Sequence, residues 1–160
     1  MPCYLFTYHP YGSWLPDRNQ GYVRRGQGIQ KPDASMMCLY QDSMKGNPIT
    51  LASGHQRAII RSVIESQQKQ RFEAYFVATE PTHAHILLSW KDDRRVVKMR
   101  GLVKGSLTRA LNKEFIRREW FAEGGSRKRV RDRTHFEYLV EDYLPKHSGR
   151  KWSKWQEYFK

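Results

Sequence analysis

The amino-acid sequence predicts an α+β fold: a ferredoxin-like, four-stranded antiparallel sheet with helices on one face and an added C-terminal helix. Three observations predict it. The candidate elements run strand, long loop, helix, strand, strand, helix, strand, helix. Residues 83–90 alternate in the two-residue period of a strand, and residues 58–64 and 96–115 space their apolar side chains for helices. The 160 residues are enough for one domain with its own core. That domain is read as 1–160, with an irregular insertion at about 9–50 and a basic aromatic tail at about 148–160.

The first strand is Pro2–Tyr8, whose aromatic residues suit a pleated surface. From His9 to Thr50, prolines and glycines break every period, so this stretch reads as a long functional or disordered loop. Its glycines at 21–28 lack the Gly-Lys-Ser/Thr ending that a phosphate loop needs. Helix one follows Ser53-Gly54-His55-Gln56, read as a capping box with Ser53 as N-cap, and carries Ala58, Ile59, Ile60, Val63 and Ile64. Phe72–Thr79 and His83–Trp90 are two strands joined by a tight turn. In the second, His83, His85, Leu87 and Ser89 leave one face, and Ala84, Ile86, Leu88 and Trp90 the other.

Helix two spans about Arg94–Arg118, buries Val96, Val103, Leu107, Ala110, Leu111 and Phe115, and is weakened at Gly101 and Gly105, where a bend is expected. Ser126–Val130 is the fourth strand. Helix three opens with a second capping box, Thr134-His135-Phe136-Glu137, and carries Phe136, Val140, Tyr143 and Leu144.

Composition narrows the partner. The net charge is +13, and residues 94–133 alone are net +10, with a further +4 in 145–160 and −3 in the segment between them. A chain with 13% aromatic residues is too rich in them for a disordered polycation. No apolar run approaches the roughly 18 residues of a membrane span, and no leader pattern opens the chain. Cys3 and Cys38 are too few for a disulfide scaffold or a thiolate zinc site. The expectation is a cytoplasmic protein, nucleoid-associated when bound to DNA, with no membrane partner. Cations interleaved with Trp120, Phe121, Trp152, Trp155, Tyr158 and Phe159 fit a nucleic acid, neutralising phosphates while rings stack on unpaired bases. The candidate DNA contacts are Arg94, Arg95, Lys98, Lys104, Arg109, Arg127, Lys128, Arg129, Arg131, Lys146 and Lys151.

The chemistry-bearing residues are few. His83 and His85 share one face of a strand, a geometry suited to two metal ligands. Tyr143 and His147 are four apart, so they lie close, although Pro145 disfavours a regular helical turn between them. Three neutral imidazoles suit a borderline divalent metal, and Mg²⁺ or Mn²⁺ fits once phosphate oxygens complete the shell. A phenol titrates near about 10, so an adjacent cation is needed to favour its ionised, nucleophilic form. Tyr138, with Asp142 four residues on, is the rival pair.

Phe76-Val77-Ala78-Thr79-Glu80-Pro81-Thr82-His83-Ala84-His85-Ile86-Leu87-Leu88 resembles the signature strand of the HUH single-tyrosine transposases, in which two histidines flank one hydrophobic residue. Tyr143-Leu144-Pro145-Lys146-His147 resembles the second motif, a tyrosine followed four residues later by a polar ligand, with His147 standing where Gln or Asn is usual. The match is to the REP-associated tyrosine transposases and related insertion-sequence enzymes, over about Leu51–His147. The resemblance implies His83, His85 and His147 as metal ligands and Tyr143 as the catalytic nucleophile. It further implies cleavage and rejoining of single-stranded DNA near hairpins through a 5′-phosphotyrosine intermediate, leaving homodimer and monomer both open. The reading from another class is a domesticated, non-catalytic protein binding DNA or RNA hairpins.

Overall fold

The computed structural model describes residues 1–12, 22–24, 28–30 and 48–156, of which 22–24 and 28–30 are described as backbone. Most of the 9–50 insertion lies outside the described residues, as do Cys38, Tyr158 and Phe159. The described part of that insertion includes a small antiparallel hairpin, β2 (Tyr22–Arg24) against β3 (Gly28–Gln30).

The main sheet is built from β1 (Cys3–Tyr8), β4 (Phe72–Glu80), β5 (His83–Trp90), β6 (Ser126–Arg129) and β7 (Lys151–Ser153). Its order is β6-β1-β5-β4-β7, and every pairing is antiparallel. The α+β class therefore stands, but the sheet has five strands rather than the expected four. The fifth, β7, is a three-residue edge segment whose pairing to β4 has no sequence period to announce it.

Two helices cover one face. α1 spans Ser53–Gln70 and α2 spans Val96–Glu114. Ile59, Ile60 and Val63 of α1 and Met99, Val103, Leu107 and Leu111 of α2 interlock with Phe6, Val77, Ile86, Leu88 and Trp90 in one apolar cluster. Ser53 is not the N-cap of α1. Ala52 holds that position, and its N–H donates to His55 Nδ1 at 3.1 Å. α1 ends at Arg71 in the left-handed conformation (φ 55), whose N–H caps the carbonyls of Gln67 and Gln68. α2 is shorter than expected and runs unbroken through Gly101 and Gly105. It stops because Asn112 Oδ1 accepts from the Arg118 N–H (3.0 Å) and Trp120 Nε1 (2.9 Å), folding the chain back.

The opposite face carries a smaller cluster of Leu5, Phe76, Ala78, Leu87, Leu139 and Leu144. A bulge between Ala74 and Phe76 resets the alternation of β4, so that Tyr75 and Phe76 both pack on this side. Covering it is α3 (Arg133–Tyr138), followed by a π-helical turn (Leu139–Tyr143) and a 3₁₀ turn (Leu144–Lys146). The expected cap at Thr134 is displaced: Asp132 is the N-cap, its Oδ1 accepting from the His135 N–H at 2.8 Å. Among the described residues no helix is long and apolar enough to cross a membrane.

Candidate metal and tyrosine centre

The period of β5 places His83 and His85 on the less covered face, as the alternation predicts. His147 arrives from the other end of the chain, just after the 3₁₀ turn. The three rings converge, with centroids 4.6 Å apart for 83 and 85, 4.7 Å for 85 and 147, and 5.4 Å for 83 and 147. One ring nitrogen from each lies within 4.8 Å of the other two. Tyr143 joins them: its hydroxyl lies 3.5 Å from His85 Nε2, and its ring 5.2 Å from that of His147. Tyr143 and His147 meet across successive π and 3₁₀ turns, so the expected proximity without a regular helical turn is what the fold builds. Single π turns occur often at functional sites.

Each imidazole is held by its Nδ1. His147 Nδ1 lies 3.1 Å from the Leu144 carbonyl, which only accepts, so Nδ1 carries the proton and Nε2 a lone pair. His85 Nδ1 lies 2.7 Å from Thr7 Oγ1, and His83 Nδ1 3.0 Å from Thr82 Oγ1. Anchoring one ring nitrogen while the other stays available is the outer-shell arrangement typical of metal-binding histidines. The donor set thus fits a divalent cation: three imidazoles, two of them buried, with no charge of their own to neutralise it and room for oxygen ligands.

Electrostatics agree. Burial, then the neighbouring His83, His147 and His9, push the His85 pKa from its usual 6.5 down to about 3. A ring so disposed stays neutral and keeps its lone pair. The Tyr143 phenol is pushed above its ordinary value by burial first, then by Tyr138 and Glu80. Its ionised form is therefore disfavoured by these surroundings, and a cation placed beside it would act in the opposite direction.

The rival pair does not converge here. Tyr138 is 51% exposed and stands 6.2 Å, ring to ring, from Tyr143. Asp142 is engaged by Lys146 at 2.8 Å and is absent from the cluster of donors.

The candidate DNA contacts fall on two sides of the sheet. Lys98, Lys104 and Arg109 sit on α2, with Arg94 and Arg95 leading into it, on the face away from the histidines. Arg127 and Arg129 oppose Phe6 and Tyr4 and so lean toward that same face, while Lys128 opposes Leu5 and leans toward the histidine side. Lys151 opposes Ala78, also on the histidine side, and donates to the carbonyls of His147 (2.6 Å) and Pro145 (3.2 Å). Several of these cations already have partners: Arg94 with Asp92 (2.6 Å), Lys104 with the Ala122 carbonyl (2.8 Å), Arg109 with Ser106 Oγ (3.0 Å). The Arg131 side chain lies exposed beside Asp132, ahead of α3.

Three residues of the site escape a sequence reading. Thr7 is 78 positions from His85, and its role becomes visible only once β1 pairs with β5. His9 lies with its ring 6.1 Å from that of His83, just past the end of β1. Gly125 (φ 119) lets the start of β6 approach the Thr7 carbonyl; a Cβ there would be 2.7 Å from that oxygen. The positive φ calls for glycine, and the Gly124-Gly125 pair is the one available signal.

No family model matches the chain, and no curated protein matches its sequence. Among solved structures it is similar to that of a REP-associated tyrosine transposase bound to a REP hairpin, with a TM-score of 0.51 and 12% identity. The likeness covers 89% of this chain but 64% of that one, so this chain spans less than two thirds of its length. At such identity the likeness speaks for the fold.

Proposed function

We propose that this protein is a metal-dependent strand transferase of the HUH single-tyrosine type, which cleaves and rejoins single-stranded DNA beside hairpins. The observation that carries the reading is Tyr143 Oη standing 3.5 Å from Nε2 of the central histidine of a three-imidazole cluster. The fold likeness to a hairpin-bound tyrosine transposase supports it, as does the order β6-β1-β5-β4 with α1 and α2 on one face, which we read as a ferredoxin-like core extended by β7.

In this reading His83, His85 and His147 would hold Mg²⁺ or Mn²⁺, which would supply Lewis-acid polarisation of the scissile phosphate. Tyr143 Oη forms the new bond to phosphorus as its proton leaves to solvent. The bond from phosphorus to the 3′ oxygen breaks, and that oxygen takes up a proton to become a free 3′-hydroxyl. The phosphotyrosine retains the energy of the broken diester, so a second 3′-hydroxyl can attack it, restoring the phenol without a nucleotide cofactor. Thr7 and the Leu144 carbonyl fix the orientation of His85 and His147 throughout. The cations of both sheet faces bind the phosphates flanking the hairpin, Lys128, Lys146 and Lys151 on the histidine side.

The test is a covalent-adduct assay with Mn²⁺ or Mg²⁺ and hairpin-bearing single strands from the flanks of the protein's own gene. The wild type and Tyr138→Phe should form a protein–DNA adduct, and Tyr143→Phe should not. An adduct surviving in Tyr143→Phe would falsify the assignment of the nucleophile. Tight, salt-sensitive hairpin binding with no adduct from the wild type would leave a non-catalytic hairpin binder in its place.

A further inference from the structure

We infer that Gln56, on the helix layer of the opposite face, is the positioning residue that sets His147 into the three-histidine cluster, an inference that rests on the metal-site reading above. His147 lies between a 3₁₀ turn and a three-residue edge strand, neither of which is rigid by itself. What holds the segment after it is a polar lock at the end of β4. Gln56 sits in the first turns of α1 and is 5% exposed. Its Nε2 donates to the Leu51 carbonyl at 2.8 Å, and its Oε1 accepts from the Arg150 N–H at 2.9 Å. Thr79 Oγ1 lies 3.0 Å from that Oε1 and 2.6 Å from the Arg150 carbonyl, sharing its one proton between two acceptors. The Thr79 N–H also donates to the Arg150 carbonyl, at 3.0 Å.

The lock needs a close approach. A Cβ on Gly149 would collide with the Thr79 carbonyl and with Gln56 Oε1, so glycine is required there whatever its φ. Secondary ties hold the same segment, residues 147–151. The Ser148 N–H reaches Glu80 Oε1 at 3.2 Å, Arg150 Nε reaches Ser53 Oγ at 2.7 Å, and Lys151 Nζ binds the His147 carbonyl. The hydrogen bonds of the buried amide tie together the chain before α1, the end of β4 just before the turn to His83, and the chain three residues past His147. Removing it leaves the half-buried Arg150 N–H without its acceptor, and the segment shifts to regain one.

The experiment compares the wild type with Gln56→Ala by Mn²⁺ titration and by long-range ¹H–¹⁵N spectra of the His147 ring. The wild type should show His147 in one fixed tautomer, protonated at Nδ1. Gln56→Ala should weaken Mn²⁺ binding by about 10-fold, the low end of the range for losing a direct outer-shell partner because Gln56 reaches His147 only through the segment after it, and move the His147 ring signals toward an averaged tautomer mixture. In a His147→Ala background the same substitution should add nothing to the loss of Mn²⁺ affinity, a non-additivity that a general loss of stability would not produce. Unchanged Mn²⁺ affinity, unchanged ring signals or full additivity each overturns the inference. A wild type that binds no Mn²⁺ defeats the metal reading instead, and the ring signals then decide alone: fixed in Gln56→Ala overturns the lock, averaged sustains it. Should Gln56→Ala fail to fold, Thr79→Val, which removes the shared hydroxyl and keeps the shape, is put to the same measurements and should show the same changes at roughly a few-fold.

Discussion

The two faces of the sheet are built on different terms. Among the described residues, twenty-one buried apolar side chains make the cluster under α1 and α2, and six make the cluster under α3 and its irregular turns. The thick side is two regular helices at ordinary helical spacing. The thin side is a six-residue helix, a π turn and a 3₁₀ turn, with polar groups at close quarters. Cohesion resides mostly where there is no chemistry. The three histidines and Tyr143 lie on the thinly packed side, where polar ties add to the burial of Leu139 and Leu144 in holding them in place.

This contrast can be broken most sharply at Tyr143. Tyr143→Phe removes one oxygen from the thin side, and adduct formation should fall to background in a denaturing gel while the thermal midpoint stays close to that of the wild type. The converse change is Leu107→Ala on the thick side. It should cost about 2–5 kcal/mol in urea unfolding, because a fully buried leucine leaves a cavity, yet leave Mn²⁺ affinity of the folded protein unchanged. If Mn²⁺ binding fell in step with stability, the two faces would be one cooperative unit and the contrast would be lost.

Thr7→Val tests the ties of the thin side. The isosteric loss of the hydroxyl beside His85 Nδ1 should lower Mn²⁺ affinity by about 10–100-fold by calorimetry, with a small change in stability. The smallest effect is electrostatic. Lys98→Gln on the thick side should weaken hairpin binding a few-fold and reduce the slope of log K against log salt by about 0.7, leaving the adduct yield at saturating DNA unchanged. An equal loss of adduct would put Lys98 at the reacting phosphate, against its place across the sheet.

Much of this was legible before any coordinates, and the reasons are local. The alternation of 83–90 fixed which side the histidines share, and the four-residue gap between Tyr143 and His147 gave their proximity despite Pro145. The stripes of α1 and α2 named Ala58, Ile59, Ile60, Val63, Val103, Leu107 and Leu111 correctly, but Val96, Ala110 and Phe115 are only half-buried, and Met99 and the polar Gln56, Ser62 and Ser106 are buried without being part of an apolar stripe. What was not legible depends on contacts between distant segments. β7 exists only because 151–153 docks on β4, and Thr7 and Gln56 act on partners 78 and 94 positions away. The caps were misplaced because Ser53 looks a better cap than Ala52, and because Thr134 with Glu137 has the spacing of a capping box although Asp132 is itself a strong cap residue. The charge of 94–133 reads as one block in the sequence, and the sheet divides it between two sides.

The π turn at Leu139–Tyr143 has a consequence for chain length. A π turn holds one residue more than the α-helical turn it replaces, and along a helix each residue is worth about 100° of rotation. Tyr143 therefore faces the imidazoles by virtue of that surplus residue. Deleting Val140 or Glu141 would relax the turn to an ordinary helix, with every side chain chemically intact, and swing the two ends of the segment out of phase. Tyr143 and His147 would then no longer both meet His85. The site is in this sense encoded as a count as much as a composition, and length changes within 139–147 should be tolerated less well than most substitutions there.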